Sequence, residues 1–165
     1  MQSQTYKIYL DVCCLNRPFD EQKQARIRLE TEAILEIINY CQAEIWTLIT
    51  SNVLEAEINQ TPNKERIENV KKILLIAKIK VLSGDWLKER TEELRKLGFT
   101  SYDAAHIASA ERAKADIFLT TDDRLVRKSH TFTQLLKVKV NNPLQWLAQI
   151  MPIEENSNEN PKSNY

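Results

Sequence analysis

The sequence predicts an α/β fold, a three-layer α/β/α sandwich around a mostly parallel central sheet of about five strands. Short apolar, β-prone segments alternate along the chain with longer segments of helical periodicity. The chain has 165 residues, of which 42% are hydrophobic, and this is enough for one domain with a proper core. We therefore expect one domain at residues 1–150 and, because residues 151–165 are polar without apolar periodicity, a disordered tail.

Five segments predict strands because each is short and rich in aliphatic or β-branched residues. They are residues 6–10, 45–50, 78–82 and 116–120, and a short segment around Val138 and Val140. The alternation of these strands with helices implies parallel pairing with helices on both faces. In such folds the functional crevice lies beyond the carboxyl ends of the strands, so we look there for chemistry.

The helix predictions rest on apolar residues three and four positions apart and on recognisable end signals. We expect helices at residues 21–41, from a Ser51 N-cap to about Asn59, from Pro62 to about Ala77, and at residues 85–97, 104–113 and 143–150. Gly98 is suited to end the helix before it, and Thr100 or Ser101 to cap the next one. Asp122 is suited to cap a segment at residues 123–128.

Composition excludes several classes of function. With only Gly84 and Gly98, the chain cannot build the glycine-rich phosphate loops of common nucleotide-binding enzymes. Basic and acidic residues both number 23, so nucleic-acid binding would need a local basic rim or metal ions that supply positive charge. Three cysteines without metal-type spacing, and the lack of a signal peptide or of a bilayer-length apolar stretch, lead us to expect a cytoplasmic protein that does not enter membranes.

Four acids far apart in sequence fall near the expected crevice. Asp11 directly follows the first predicted strand, and Asp122 follows the fourth. Glu57 lies on the short helix after the second strand, and Asp103 lies in the first turn of the helix after Thr100. Clustered carboxylates raise one another's pKa and are costly unless cations lie among them. Hard divalent ions prefer oxygen ligands and assist phosphodiester hydrolysis, so the four acids predict a metal-dependent hydrolytic site.

Each acid also has an explanation that needs no catalysis. Asp103 would form a capping box, and Asp122 would cap the segment that follows it. Glu57 has a rival in Glu55, and acids on a short helix are usually only solvated. Asp11 is the strongest candidate because its neighbours are apolar on both sides, and an isolated buried carboxylate is expensive.

Four segments resemble, in order, the motifs of PIN domains: IYLDVCCL, SNVLEAEI, SYDAAHIASA and FLTTDDRL. The resemblance extends from about Tyr6 to Ile150, and the third segment is the most specific. It implies a PIN-like fold and a ribonuclease that depends on Mg²⁺ or Mn²⁺, and many bacterial PIN domains are toxins of type II toxin–antitoxin pairs. The family's acids fall on Asp11, Glu57, Asp103 and Asp122.

The resemblance also chooses between neighbouring acids. Glu57 is preferred to Glu55 because it stands six residues after Ser51, as the family's acid does. Asp122 is preferred to Asp123 because it completes a Thr-x-Asp pattern. The resemblance thus implies three Asp ligands for the metal, with Glu57 as a further ligand or a nearby base.

Other expectations concern substrate and partners. The candidate substrate-binding residues are Asn16, Arg17, Thr120 and Arg124. The family usually carries a polar residue soon after its first acid, whereas Val-Cys-Cys follows here, so either Asn16 substitutes for it or no residue does. His106 lies one helical turn after Asp103 and could contact phosphate, although its Ala and Ile neighbours favour a packed core position. Besides RNA, the resemblance implies a second copy of the chain and an antitoxin as partners.

Two other interpretations stay open. A catalytically degenerate PIN module would bind RNA or a protein without cleavage; the apolar run after Asp11 favours it, and the presence of all four acids argues against it. Phosphotransfer on an aspartate, as in haloacid-dehalogenase-type phosphatases, would need a second Asp where the chain has Cys13. The segment RPFD at residues 17–20 is not a general PIN feature and suggests a distinct subfamily with its own partner or substrate.

Overall fold

The computed structural model describes residues 4–151, and the predicted tail lies outside them except for Met151. The strands are β1 (Lys7–Leu10), β2 (Thr47–Ser51), β3 (Ile79–Val81), β4 (Ile117–Leu119) and β5 (Val140–Asn141). The helices are α1 (Val12–Asn16), α2 (Ala25–Gln42), α3 (Asn52–Ile58), α4 (Lys64–Leu74), α5 (Asp85–Lys96), α6 (Ser101–Arg112), α7 (Asp123–Thr131) and α8 (Pro143–Ile150). A 3-10 turn at Arg17–Phe19 follows α1.

The strands form one sheet in the order β3-β2-β1-β4-β5, and every neighbouring pair is parallel. β1 lies in the centre, where Ile8 pairs with Leu48 of β2 and with Ile117 of β4. Ile8, Tyr9 and Leu10 have no exposed surface, so both faces of β1 are covered. A strand buried on both faces requires apolar residues at successive positions, which explains the unbroken Ile-Tyr-Leu run.

Helices pack on both faces of the sheet. α6 packs against α3 and α5, while α2 packs against α8. Tyr9 contacts His106 of α6, which places α6 on the face to which Tyr9 points. α2 contributes Ile34 and Ile37 to the core. The predicted three-layer fold with a parallel sheet of five strands is therefore confirmed.

The predicted helices and strands are present with somewhat different ends. Ser51 and Thr100 are N-caps, and each side chain accepts a hydrogen bond from the backbone N–H three residues later. α5 ends just before Gly98, whose φ of 100° strains other residues. Within residues 4–151, no helix combines the length and the apolar character that crossing a membrane requires.

One element was not predicted from the sequence. α1 begins immediately after Asp11, whereas the sequence predicted no element between the strand at residues 6–10 and the helix at residues 21–41. Its five residues are too few to show helical periodicity, and four of them are apolar. This helix places Cys13 and Cys14 on one turn, and both thiols are free.

Candidate acidic active site

Asp11 stands at the carboxyl end of the central strand. Its backbone N–H donates to the carbonyl of Leu119, so the pairing with β4 continues to this residue. Its side chain is 7% exposed, and its Oδ1 accepts a hydrogen bond from the backbone N–H of Val12 at 2.8 Å, which caps α1. The fold therefore holds a buried carboxylate where a parallel sheet is expected to have its crevice.

The second oxygen of Asp11 is held by side chains near the end of β4. The hydroxyl of Thr120 donates to Oδ2 at 2.8 Å, and the thiol of Cys13 lies 3.4 Å from the same oxygen. Thr120 Oγ1 also accepts the backbone N–H of Asp122 at 3.1 Å, and Cys13 Sγ accepts that of Thr121 at 3.3 Å. Two small side chains thus tie the loop after β4 to Asp11.

Glu57 reaches the same pocket from α3. Asp11, Glu57 and His106 each place one possible ligand atom within 4.8 Å of the others. Glu57 Oε2 lies 2.5 Å from Nε2 of His106. Glu55 is instead turned towards Lys80, whose Nζ donates to its Oε1 at 2.8 Å. The geometry brings Glu57, and not Glu55, to Asp11.

Asp103 shares the electrostatic environment of this pocket, although its carboxylate is not part of the group of three. Burial raises the pKa of Asp103, and the negative charges of Asp11 and Asp122 raise it further. The hydrogen bond with Thr100 and the proximity of His106 lower the pKa, but the balance is upwards. The backbone N–H of Asp103 donates to the Thr100 hydroxyl at 3.2 Å, which is one of the two hydrogen bonds of the predicted capping box. Repulsion among the carboxylates is therefore present, as the sequence predicted.

Asp122 and Asp123 have different surroundings. Asp122 caps α7, since its Oδ1 accepts two backbone N–H groups at the start of that helix. Asp123 points to Arg26, and each of its oxygens lies 2.7 Å from a guanidinium nitrogen. This contact lowers the pKa of Asp123. Asp122 is thus the acid whose charge acts on Asp103, and it is a helix cap at the same time.

The charged residues of the RPFD segment form ion pairs within the protein. Arg17 lies 3.2 Å from Asp20 and 3.4 Å from Glu30, and Asp20 also pairs with Arg66 of α4 at 2.7 Å. Glu30 is 1% exposed and accepts a hydrogen bond from Nδ2 of Asn142 at 2.6 Å. The segment is therefore fastened to α2 and α4. Arg17, which the sequence proposed as a substrate contact, already has two acidic partners.

The other proposed substrate-binding residues differ in exposure. Arg124 is exposed in the first turn of α7, next to Asp122. Thr120 is fully buried, and its hydroxyl is engaged with Asp11. Asn16 ends α1, and its Oδ1 is buried without a hydrogen-bond partner among residues 4–151. Arg124 is the one of these three whose side chain is open to solvent.

Sequence reasoning missed the contacts of Tyr9, and also those of Cys13 with Asp11 and with the loop after β4. Tyr9 was considered only as a strand residue, yet its buried hydroxyl contacts Ser51 and His106. A Tyr in an otherwise aliphatic central strand is a usable signal, since its hydroxyl must find a partner when buried. His106 is buried, as its neighbours indicated, but both of its ring nitrogens have polar partners.

The donor atoms of the pocket suit a hard divalent cation. Carboxylate oxygens are the ligands that Mg²⁺ and Mn²⁺ prefer. Burial and, after it, the charges of Asp11 and Asp122 raise the pKa of Asp103, and a bound cation would relieve the repulsion among these carboxylates. Of the four acids that the sequence predicts as a metal site, Asp11 and Glu57 place ligand atoms within 4.8 Å of each other, whereas Asp103 and Asp122 are not in that group.

Fold and pocket together define a class of protein: an α/β/α domain with a carboxylate pocket, suited to a divalent ion, beyond the carboxyl ends of parallel strands. The family model of the PIN domain matches residues 8–130 of the chain. The chain therefore belongs to the PIN-domain family, and PIN domains are generally nucleases. The resemblance seen in the four sequence motifs is confirmed.

Two solved structures are similar to this chain. The crystal structure of PAE2754 from Pyrobaculum aerophilum has 16% sequence identity, covers 89% of this chain and 98% of its own, and gives a TM-score of 0.51. The crystal structure of VapBC2 from Rickettsia felis, bound to a DNA fragment from their promoter, has 15% sequence identity. It covers 82% of this chain and 98% of its own, and gives a TM-score of 0.49. The first likeness supports the fold alone. A comparison with curated proteins finds no match.

Proposed function

We propose that the chain is a metal-dependent endoribonuclease in which Asp11, Glu57, Asp103 and Asp122 hold Mg²⁺ or Mn²⁺. The observation that carries the proposal is the position of Asp11, a buried carboxylate with a ligand atom of Glu57 within 4.8 Å. The raised pKa of Asp103 supports it, because Asp11 and Asp122 contribute to that shift. Nuclease chemistry agrees with the family, and the choice of RNA as substrate rests on the resemblance.

Charge explains why a cation belongs in this proposal. Four carboxylates repel the phosphates of a nucleic acid, and the chain has no net charge to offset them. A bound divalent ion would offset part of this negative charge, activate water and neutralise charge that develops at the phosphate. The chain's own part is to orient the acids: Val12 and Thr120 hold one oxygen of Asp11 each.

The basic residues of α7 are suited to contact the phosphates that flank the scissile bond. Arg124 and Arg127 are both exposed and lie one helical turn apart, after Asp122. Lys128 is less suited, because its Nζ donates to the carbonyl of Gly98. A local basic rim of this kind is consistent with a protein whose overall charge is zero.

RNA cleavage with variants of the pocket acids tests the proposal. We expect labelled single-stranded RNA to be cut with Mg²⁺ or Mn²⁺ and not with EDTA. Asp11→Asn and Asp103→Asn should each reduce cutting by more than about 100-fold, beyond the loss typical of residues that only support a ligand. Asp116→Asn is the matched control, because this exposed acid lies before β4, at the opposite end of the strand.

Failure of the folded, metal-loaded protein to cut either single-stranded RNA or tRNA would contradict the proposal. Retained RNA binding in that case would support the catalytically degenerate module. A substrate panel that also includes DNA separates a ribonuclease from a less specific nuclease.

The resemblance also supports a cytoplasmic location, a homodimer and an antitoxin partner as parts of the same proposal. Light scattering of the purified chain tests the homodimer, since a dimer has twice the 19.2 kDa mass of one chain. An antitoxin should abolish cleavage at a one-to-one ratio and should co-purify with the chain.

A further inference from the structure

A continuous chain of hydrogen bonds runs beneath the acidic pocket and links α3, β1 and α6. The backbone N–H of Leu54 donates to Ser51 Oγ at 3.0 Å, and this oxygen lies 2.8 Å from the hydroxyl of Tyr9. The Tyr9 hydroxyl lies 2.7 Å from Nδ1 of His106, whose Nε2 lies 2.5 Å from Oε2 of Glu57. Ser51 and Tyr9 are fully buried and His106 is 1% exposed, so water does not replace these partners.

If every donation in this series of hydrogen bonds runs from Leu54 towards Glu57, each hydrogen has an acceptor. Ser51 Oγ accepts from Leu54, so its own hydrogen is available for Tyr9, and the Tyr9 hydrogen for Nδ1 of the histidine. His106 then carries its hydrogen on Nε2 and donates it to the carboxylate of Glu57. If Nδ1 of a neutral His106 ring carried the hydrogen and donated it to Tyr9 instead, Nε2 would have no hydrogen and its lone pair would face the carboxylate oxygen of Glu57.

The placement of the Tyr9 hydroxyl agrees with this direction. The Tyr9 ring is stacked on Phe118, with 5.3 Å between the ring centroids, which holds the hydroxyl in place. The donors are therefore fixed by the sheet itself.

We propose that His106 is a positioning residue for Glu57 and not a metal ligand. Its Nε2 donates to Oε2 of Glu57 and so fixes the carboxylate that, together with Asp11, would hold a cation. Both ring nitrogens of His106 are engaged, so its place within the 4.8 Å group does not make it a third ligand. This inference rests on the proposed function for its metal and goes beyond it in separating the supporting residue from the ligands.

Paired substitutions of His106 test the inference. His106→Gln places an amide N–H near the position of Nε2 and keeps a donor to Glu57, whereas His106→Asn keeps only the side that faces Tyr9. The measurements are Mn²⁺ affinity by calorimetry, thermal unfolding in EDTA, and RNA cleavage. His130→Gln is the matched control, because this exposed histidine contacts the Val140 carbonyl away from the pocket.

We expect His106→Gln to bind Mn²⁺ within about threefold of the wild type and His106→Asn to lose about 10- to 100-fold, as is typical when the group behind a ligand is removed. Equal affinity for His106→Asn and wild type would overturn the inference. A folded His106→Gln protein as weak as His106→Asn would also overturn it, because a requirement for the ring indicates a ligand.

A measurement on the metal-free wild type makes the test independent of variants that fail to fold. The ¹⁵N NMR shifts of His106 should show a hydrogen on Nε2, and Tyr9→Phe should change the Nδ1 shift. A hydrogen on Nδ1 alone would contradict the inference even if metal binding and RNA cleavage are found. Failure of the wild type to bind Mn²⁺ or to cut RNA, with the Nε2 form present, would instead contradict the proposed function.

Discussion

Thr120 donates its hydroxyl hydrogen to Oδ2 of Asp11 at 2.8 Å, and the Oγ1 of Thr120 itself accepts the backbone N–H of Asp122 at 3.1 Å. One fully buried side chain after β4 therefore orients one acid of the pocket and places the next. The sequence suggested Thr120, the first residue of the Thr-x-Asp pattern, as a substrate contact. In the structure its hydroxyl is already committed to two neighbouring acids, which is a reason for a Thr at this position.

Removing the Thr120 hydroxyl should weaken both stability and cleavage. Thr120→Val keeps the shape but leaves Oδ2 of Asp11 without its strongest donor, so we expect the free energy of unfolding to fall by about 1–3 kcal/mol. RNA cleavage should fall by about tenfold, because the carboxylate loses its orientation. Thr120→Ser keeps the hydroxyl and should stay close to wild type. Urea unfolding and kcat/KM check these outcomes, and an unchanged Thr120→Val protein would show that the contact is unimportant.

The choice between Glu55 and Glu57 can be decided with a matched pair. Glu57→Gln should abolish the Mn²⁺-induced rise in melting temperature and reduce cleavage by more than about 100-fold, since a ligand charge is lost. Glu55→Gln removes only an exposed contact with Lys80 and should change stability by less than about 1 kcal/mol. The reverse pattern would mean that Glu55 is the functional acid.

Much of the fold could be predicted because it depends on local patterns. The Ile8–Leu10 run indicates a strand covered on both faces, and Ser51 and Thr100 are N-cap residue types at the right positions. Asp11 was identified because an acid within an apolar segment is expensive without a partner. These signals are carried by a residue and its immediate neighbours.

The contacts that shape the pocket could not be predicted because they join distant segments. Tyr9 and His106 are 97 positions apart, and Thr120 is 109 positions from Asp11. Whether a hydroxyl or an imidazole in the core meets a polar partner depends on strand register and helix packing. α1 escaped prediction for a different reason, since five mostly apolar residues show no period.

Glu30 should matter for stability although it is not part of the pocket. It is 1% exposed and is surrounded by Arg17, Arg26 and Asn142. Glu30→Ala leaves these groups short of an acceptor. We expect the free energy of unfolding to fall by about 2–4 kcal/mol. This loss lies in the lower part of the usual range for a broken buried ion pair, or just below it, because both arginines are partly exposed. Glu32→Ala is the control, because Glu32 lies on the same helix but is exposed. This substitution should change the free energy of unfolding by about 0.5 kcal/mol or less.

The predicted effect of Glu30→Ala is on folding and not on metal affinity. Urea unfolding measures the first quantity, and calorimetry with Mn²⁺ measures the second at a temperature where the variant is folded. A stability loss no greater than that of the control would show that the buried ion pairs contribute little beyond their desolvation cost.

Asp103 should make the metal-free protein less stable as the pH rises. Its pKa is raised from the ordinary value of 3.8, so the folded protein holds this proton to a higher pH than the unfolded chain does. Stability therefore falls as the pH increases from near the unfolded pKa through the folded pKa, and the loss is complete at neutral pH. Asp103→Asn removes this penalty, so we expect a higher melting temperature than wild type in EDTA at neutral pH and a smaller difference in acid.

With added Mn²⁺, the wild type should instead have the higher melting temperature, because the metal binds the deprotonated carboxylate and stabilises only the protein that can hold it. The wild type should therefore gain melting temperature with Mn²⁺, and increasingly so at higher pH, while Asp103→Asn gains little. Thermal unfolding from about pH 4 to 8, with EDTA or with Mn²⁺, measures both effects. A variant that is less stable than wild type in EDTA at neutral pH would show that the charge of Asp103 in the first turn of α6 stabilises the fold more than its repulsion in the pocket destabilises it.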